Sequence, residues 1–148
     1  MLSYAAALHC VETWARKACV PQRVVSVQQA VGQVAAEDIL ARTSRPEADI
    51  SAMDGYAFAH NAMRAAQDGL AVKGLTLAGE QPVPLAAGYA QQILTGARLP
   101  AGADCVMALE RMAQGTQPNY IKPLQSLAEK GANIRRAGEE FKQGECLI

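Results

Sequence analysis

Apolar residues recur at helical spacing in the first part of the chain and at strand spacing afterwards. Leu8, Val11, Ala15 and Ala18 fall three or four apart, which predicts a helix capped by Ser3 and running to about Lys17. Trp14 lies beside that stripe, and Pro21 ends the segment. A second, short helix opens with the capping box Ser26-x-x-Gln29 and closes at Gly32. Residues 34–40 then read as a strand interrupted by Glu37 and Asp38. Residues 56–58, 70–77, 90–94, 105–109 and 120–122 read as further short strands between Gly- and Pro-rich turns. Residues 61–67 predict a short helix stopped by Gly69, and the polar stretch 42–49, with Pro46, reads as a crossing between two structural units. The last residues, Cys146-Leu147-Ile148, resemble a strand in mid-course. Short strands with a few helices predict an α+β fold, mostly β.

Composition narrows the class. A chain of 148 residues, half of them apolar and 19% charged, can bury a core and is expected to be globular. With one Trp and two Phe, that core must lean on Ala, Val, Leu and Ile. Fourteen basic residues balance fourteen acidic ones, so no broad electrostatic footprint for nucleic acid or an anionic membrane exists. Cys10, Cys19, Cys105 and Cys146 are scattered without a C-x-x-C pair, and His9 and His60 add no ligand pattern. The expectation is buried or partly buried free thiols in a cytoplasmic protein. No signal peptide is apparent. The longest uncharged stretch, residues 81–97, is broken by Pro82, Pro84 and Gly88 and cannot span a membrane.

The run Ser51-Ala52-Met53-Asp54-Gly55-Tyr56-Ala57 carries the most chemical information. Asp-Gly is a turn dipeptide, because Gly tolerates positive φ and Asp bonds nearby backbone donors. A carboxylate on such a turn can point at a ligand or metal; taken alone, Asp54 also reads as a plain turn residue. Thr95-Gly96 offers a hydroxyl and an unobstructed N–H suited to a phosphate oxygen, or it is simply a strand-ending turn. No Gly-Lys-Ser/Thr follows it, so it is no Walker loop. Arg135 and Arg136 supply planar forks for phosphate or carboxylate, or form a solvated basic pair.

Three ordered segments resemble the molybdopterin molybdenumtransferase family, called MoeA in bacteria and the E-domain of gephyrin in animals. They are the Asp54 run, the stretch Ile93-Leu94-Thr95-Gly96-Ala97-Arg98-Leu99-Pro100-Ala101-Gly102-Ala103-Asp104, and Gly131-Ala132-Asn133-Ile134-Arg135-Arg136-Ala137-Gly138-Glu139-Glu140. The resemblance covers essentially the whole chain. It implies a barrel-like β domain, residues 43–128, inserted in a small discontinuous α/β host built from 21–42 and 129–148, after an N-terminal helix over 1–20. It also implies that this is the N-terminal region of an enzyme that continues into a domain holding molybdopterin and molybdate.

By that resemblance, the reaction is insertion of molybdate into adenylylated molybdopterin, with release of AMP, in molybdenum cofactor biosynthesis. Asp54, Thr95, Arg135 and Glu140 are the implied catalytic residues, and Ser51 and Gly96 the implied cofactor-binding ones. Asp54 and Glu140 are candidate Mg²⁺ ligands, since magnesium takes one or two carboxylates plus phosphate oxygens and waters. The implied assembly is a homodimer in which this region serves the partner subunit's molybdopterin domain in trans and is inert alone. A molybdopterin adenylyltransferase is the implied upstream partner. Two departures stand out. Family members usually carry Phe-Asp-Asn where this chain has Ala48-Asp49-Ile50, and Gly-Glu-Asp where it has Gly138-Glu139-Glu140. The alternative is a non-catalytic dimerisation or partner-binding module of the same fold.

Overall fold

Short strands outnumber helices in the computed structural model, which describes residues 2–18 and 20–148. Two compact units result, Met1–Ile39 with Ile148, and Leu40–Leu147. In the first, α1 (Tyr4–Lys17) begins where the Ser3 hydroxyl accepts the Ala6 N–H at 3.3 Å, and Arg16 and Lys17 complement the dipole of its last turn. The short α2 (Val27–Ala30) has Gln29 reaching back to the Ser26 N–H at 3.4 Å. The apolar stripe of α1 is not a core face within this unit: Leu8, Val11 and Trp14 are all exposed. Residues 34–40 do not form the expected strand. Among the described residues their apolar pattern joins no ladder: Leu40 makes a single bridge to Cys146, and the Ile39 N–H donates to the Ile148 carbonyl at 3.1 Å. Among the described residues the terminal run forms no strand either.

The second unit holds β1 (Ile50–Ser51), β2 (Gly55–Phe58), α3 (His60–Ala65), β3 (Leu70–Thr76), β4 (Tyr89–Ile93), β5 (Cys105–Ala108), β6 (Met112–Gln114), β7 (Tyr120–Pro123) and β8 (Ile134–Arg135). Six of these strands form one sheet in the order β5-β2-β4-β3-β7-β6, antiparallel except for the parallel pair β3–β4. The edge strands β5 and β6 are joined by a single 3-10 turn, Leu109–Arg111. That link reaches at most about 14 Å, whereas five flat strand spacings would separate the edges by about 24 Å. The sheet therefore has to curl, and it forms a half-barrel.

Both faces of the sheet's centre are buried. Phe58, Ala90, Cys105 and Met107 alternate onto one face with Leu70 and Ile121, and Met63 of α3 packs there. The other face carries Ala57, Ile93 and Val106, covered by Ala97, Met53, Leu99 and Ile134. A strand buried on both sides reads as a continuous apolar run, which is why Cys-Val-Met-Ala of β5 was legible. Asp104 caps α3 from 44 residues away, accepting the His60 N–H at 2.6 Å. Of the thiols, Cys105 is buried, which pushes it up to about 11, but Cys10 and Cys146 are exposed, against expectation. Cys19 lies outside the described residues.

Gly55 owes its identity to close packing, not to turn conformation. Its φ is not positive, and a Cβ there would run into the Met107 carbonyl of β5. Gly55→Ala is expected to cost about 2–3 kcal/mol, seen as a lower urea midpoint with an unchanged m-value.

Candidate functional site

The site grows from β1, which is only two residues long. The Ser51 N–H donates to the Ala97 carbonyl and its own carbonyl accepts the Gly96 N–H, both at 2.9 Å. On its other side β1 pairs with β8, Ile50 opposite Arg135 and Ser51 opposite Ile134, and the Ala52 N–H donates to the Asn133 carbonyl at 3.0 Å. Ser51 itself is 1% exposed, and its hydroxyl donates to the Met53 carbonyl at 2.6 Å. It staples the turn from inside, facing no solvent.

At the crest of that turn Asp54 is exposed. Its Oδ1 accepts both the Thr95 N–H and the Thr95 hydroxyl, each at 2.7 Å, while Oδ2 receives no bond from a described residue. The Thr95 hydroxyl, and then the Thr95 N–H, hold the carboxyl below the usual carboxylate range. Of the two sequence readings of Thr95-Gly96, the turn that ends β4 is the one seen here. Both Thr95 donors are committed to Asp54 and the Gly96 N–H to Ser51, so the unattached polar group here is a carboxylate oxygen and not a phosphate-seeking N–H.

Arg135 and Glu140 meet each other. Arg135 Nη2 lies 2.7 Å from Glu140 Oε1, and Arg45 Nε lies 3.0 Å from Glu140 Oε2. Glu139 adds a looser contact to Arg135 Nε at 3.5 Å. The bond from Arg135 comes first among the causes that lower the Glu140 carboxyl, and the same bond raises the Arg135 guanidinium. With both oxygens facing guanidinium groups, Glu140 is poorly placed to ligate a cation. Asp54 is the better fit to Mg²⁺, through its unengaged Oδ2. Among the described residues no three His, Cys, Asp or Glu side chains converge as a metal set.

Sequence reasoning missed Asp49 as the organiser of this edge. Its Oδ1 accepts the Ala137 N–H at 2.9 Å, its Oδ2 accepts from Arg136 Nη1 at 2.6 Å, and its carbonyl accepts the Leu99 N–H at 2.8 Å. It also missed Asn133, which holds φ at 58° and donates from Nδ2 to the Val106 carbonyl at 2.8 Å, tying the β8 segment to β5. The signal for Asn133 was present, since Asn is among the residues enriched in the left-handed region. A cavity of about 390 Å³ lined by Tyr56, Val72, Met112 and Tyr120 includes none of the six candidate residues. Asp54, at the head of the site, is exposed.

A curled, mostly β module with a carboxylate turn and an arginine–carboxylate cluster along one edge defines the class of protein. The chain belongs to the family described as MoeA N-terminal region (domain I and II), whose profile matches residues 2–148. It is 33% identical over its whole length to 38% of the Synechococcus elongatus molybdopterin molybdenumtransferase. The Haemophilus influenzae protein of the same name is 32% identical over 84% of this chain and 30% of its own length. The solved molybdopterin biosynthesis MoeA protein of Pyrococcus horikoshii OT3 superposes with a TM-score of 0.72 at 33% identity, over 84% of this chain and 33% of that one. The chain thus spans about a third of the length of these relatives. No described helix is long and apolar enough to cross a membrane.

The Ala137 N–H is the main cause that lowers the Asp49 carboxyl; partial burial opposes it, and Arg136 adds to the lowering. A depressed carboxylate stabilises the fold above its unfolded pKa near 3.8, and that contribution is lost as pH falls through the lower folded value. Asp49→Ala is expected to cost about 1 kcal/mol at pH 7, mostly from the Ala137 bond because Arg136 is well exposed. In denaturation curves the gap between wild type and variant should close below pH 3.8.

Proposed function

We propose that this chain is the N-terminal part of a molybdopterin molybdenumtransferase and presents Asp54 to adenylylated molybdopterin held by a separate molybdopterin domain. One observation carries the reading: a family-matched, exposed carboxylate is fixed by two bonds to Thr95 while its second oxygen is left outward. A carboxylate beside phosphates and molybdate is useful when it works through a cation. In this reading Asp54 would hold Mg²⁺, and the ion would supply charge neutralisation beside the substrate's phosphates. Thr95 keeps Asp54 in one rotamer. Ser51 and Gly96 lock the turn beneath it, and Arg135 offers its guanidinium to a phosphate in exchange for Glu140, so Glu140 acts by orienting Arg135.

The same proposal takes residues 43–128 as a domain inserted in a host of 21–42 and 129–148, with the helix over 1–20 ahead of it. It places the protein in a cytoplasmic homodimer, in which each subunit's edge serves the partner's molybdopterin domain, downstream of a molybdopterin adenylyltransferase. The exposed position of Asp54, outside the cavity lined by Tyr56, Val72, Met112 and Tyr120, supports a site completed by another surface. The alternative, a non-catalytic assembly module, draws on the exposed apolar residues Tyr4, Leu8, Val11 and Trp14 of α1.

Two assays separate the readings. The 148 residues alone should release no AMP from adenylylated molybdopterin, and release would overturn the trans arrangement. Joined to the remaining segments of a family enzyme, the chain should support AMP release, and Asp54→Asn should lower kcat by about 100-fold or more with little change in KM. An unaltered kcat in that variant would favour the assembly module.

A further inference from the structure

Thr76 and Gln91 are the polar exceptions on the sheet face that carries Ala57, Ile93 and Val106. Thr76 is 1% and Gln91 4% exposed, and Gln91 Nε2 donates to Thr76 Oγ1 at 2.6 Å. A buried amide and hydroxyl cost stability unless they bond each other, and an apolar pair of similar shape would serve packing as well. Their place in the ladder suggests what the bond is for. β3 and β4 pair in parallel from Ala71–Tyr89 to Val72–Ala90, then lose register, and resume at Leu75–Gln92 and Thr76–Ile93. One extra residue of β3 is accommodated there, with Gly74 at φ +90°, a conformation that side-chain-bearing residues resist. Without that bulge Thr76 would fall on the opposite face. The Gln91 side chain lies over Gly74 and grips Thr76 beyond the bulge, while Lys73, Gly74 and Leu75 are exposed.

What lies beyond is the candidate site. The Thr76 carbonyl accepts the Leu94 N–H at 3.2 Å, and Leu94 is followed directly by Thr95, whose two donors hold Asp54. We infer that Gln91 is a positioning residue: by fixing Thr76 across the bulge, it holds the turn from which Thr95 orients Asp54. The catalytic consequence rests on the function proposed above, whereas the mechanical coupling does not.

Amide hydrogen exchange of the full chain tests the coupling. In Gln91→Leu the Leu94 and Thr95 amides should lose protection by about tenfold or more, while the Asp104 and Val106 amides, bonded to Phe58 and Ala132, keep theirs. Thr76→Val should reproduce that pattern and Thr76→Ser should restore protection. Unchanged exchange at Leu94 and Thr95, or an equal loss at all four amides, would overturn the assignment. So would failure of both Gln91→Leu and Thr76→Val to fold, because the pair would then serve the whole fold. In the joined enzyme Gln91→Leu should lower kcat by about 10- to 100-fold with KM little changed. If exchange responds and kcat does not, the positioning stands and the role given to Asp54 fails. If Asp54→Asn abolishes AMP release while exchange at Leu94 and Thr95 ignores Gln91, the role of Asp54 stands and the positioning fails.

Discussion

Two residues of β-strand hold the candidate site together. β1 contributes little area to any core, yet backbone bonds run from it to the 94–97 turn on one side and to the β8 segment on the other. Those are the two segments that carry Thr95 and Arg135. The turn that leaves β1 carries Asp54, and Gly55 then lets β2 settle against β5. Segments distant in sequence thereby meet along the β1–β8 edge through backbone pairing, which is insensitive to side-chain identity. The side chains along that edge can vary without moving the scaffold beneath them.

The charges on the edge are arranged in pairs. Asp49 receives a backbone N–H and a guanidinium, and Glu140 receives two guanidiniums. Pairing keeps Arg135 from pointing freely into solvent, and it also means that an incoming anion must displace Glu140 to reach it. Among the described residues Asp54 has no cationic partner and is held by Thr95. Its charge is thus not neutralised by a guanidinium as those of Asp49 and Glu140 are.

Much of the sheet could be read from the sequence. The runs at residues 56–58 and 105–109 are continuously apolar and 90–94 carries Ala90, Ile93 and Leu94; each became a strand whose ends lie within one residue of the expected ones. Residues 34–40 carry a comparable pattern and formed no strand, because period states a preference and pairing requires a neighbour. β1, β6 and β8 were unreadable for the converse reason: two or three residues carry no period, and their partners made them strands.

The sequence by itself determined the family, the α+β character and the presence of an acidic turn at Asp54, since each rests on local residue order and turn chemistry. Only the tertiary structure decided what that turn touches. It set Thr95 on Asp54, turned Glu140 toward Arg45 and Arg135, made Asp49 an anchor, and showed Gly55 to be required by the nearness of Met107 and not by its φ. Each of these joins residues through strand pairing or folding back of the chain, and a hydrogen bond depends on a distance of about 3 Å, which no order of residues along the chain encodes.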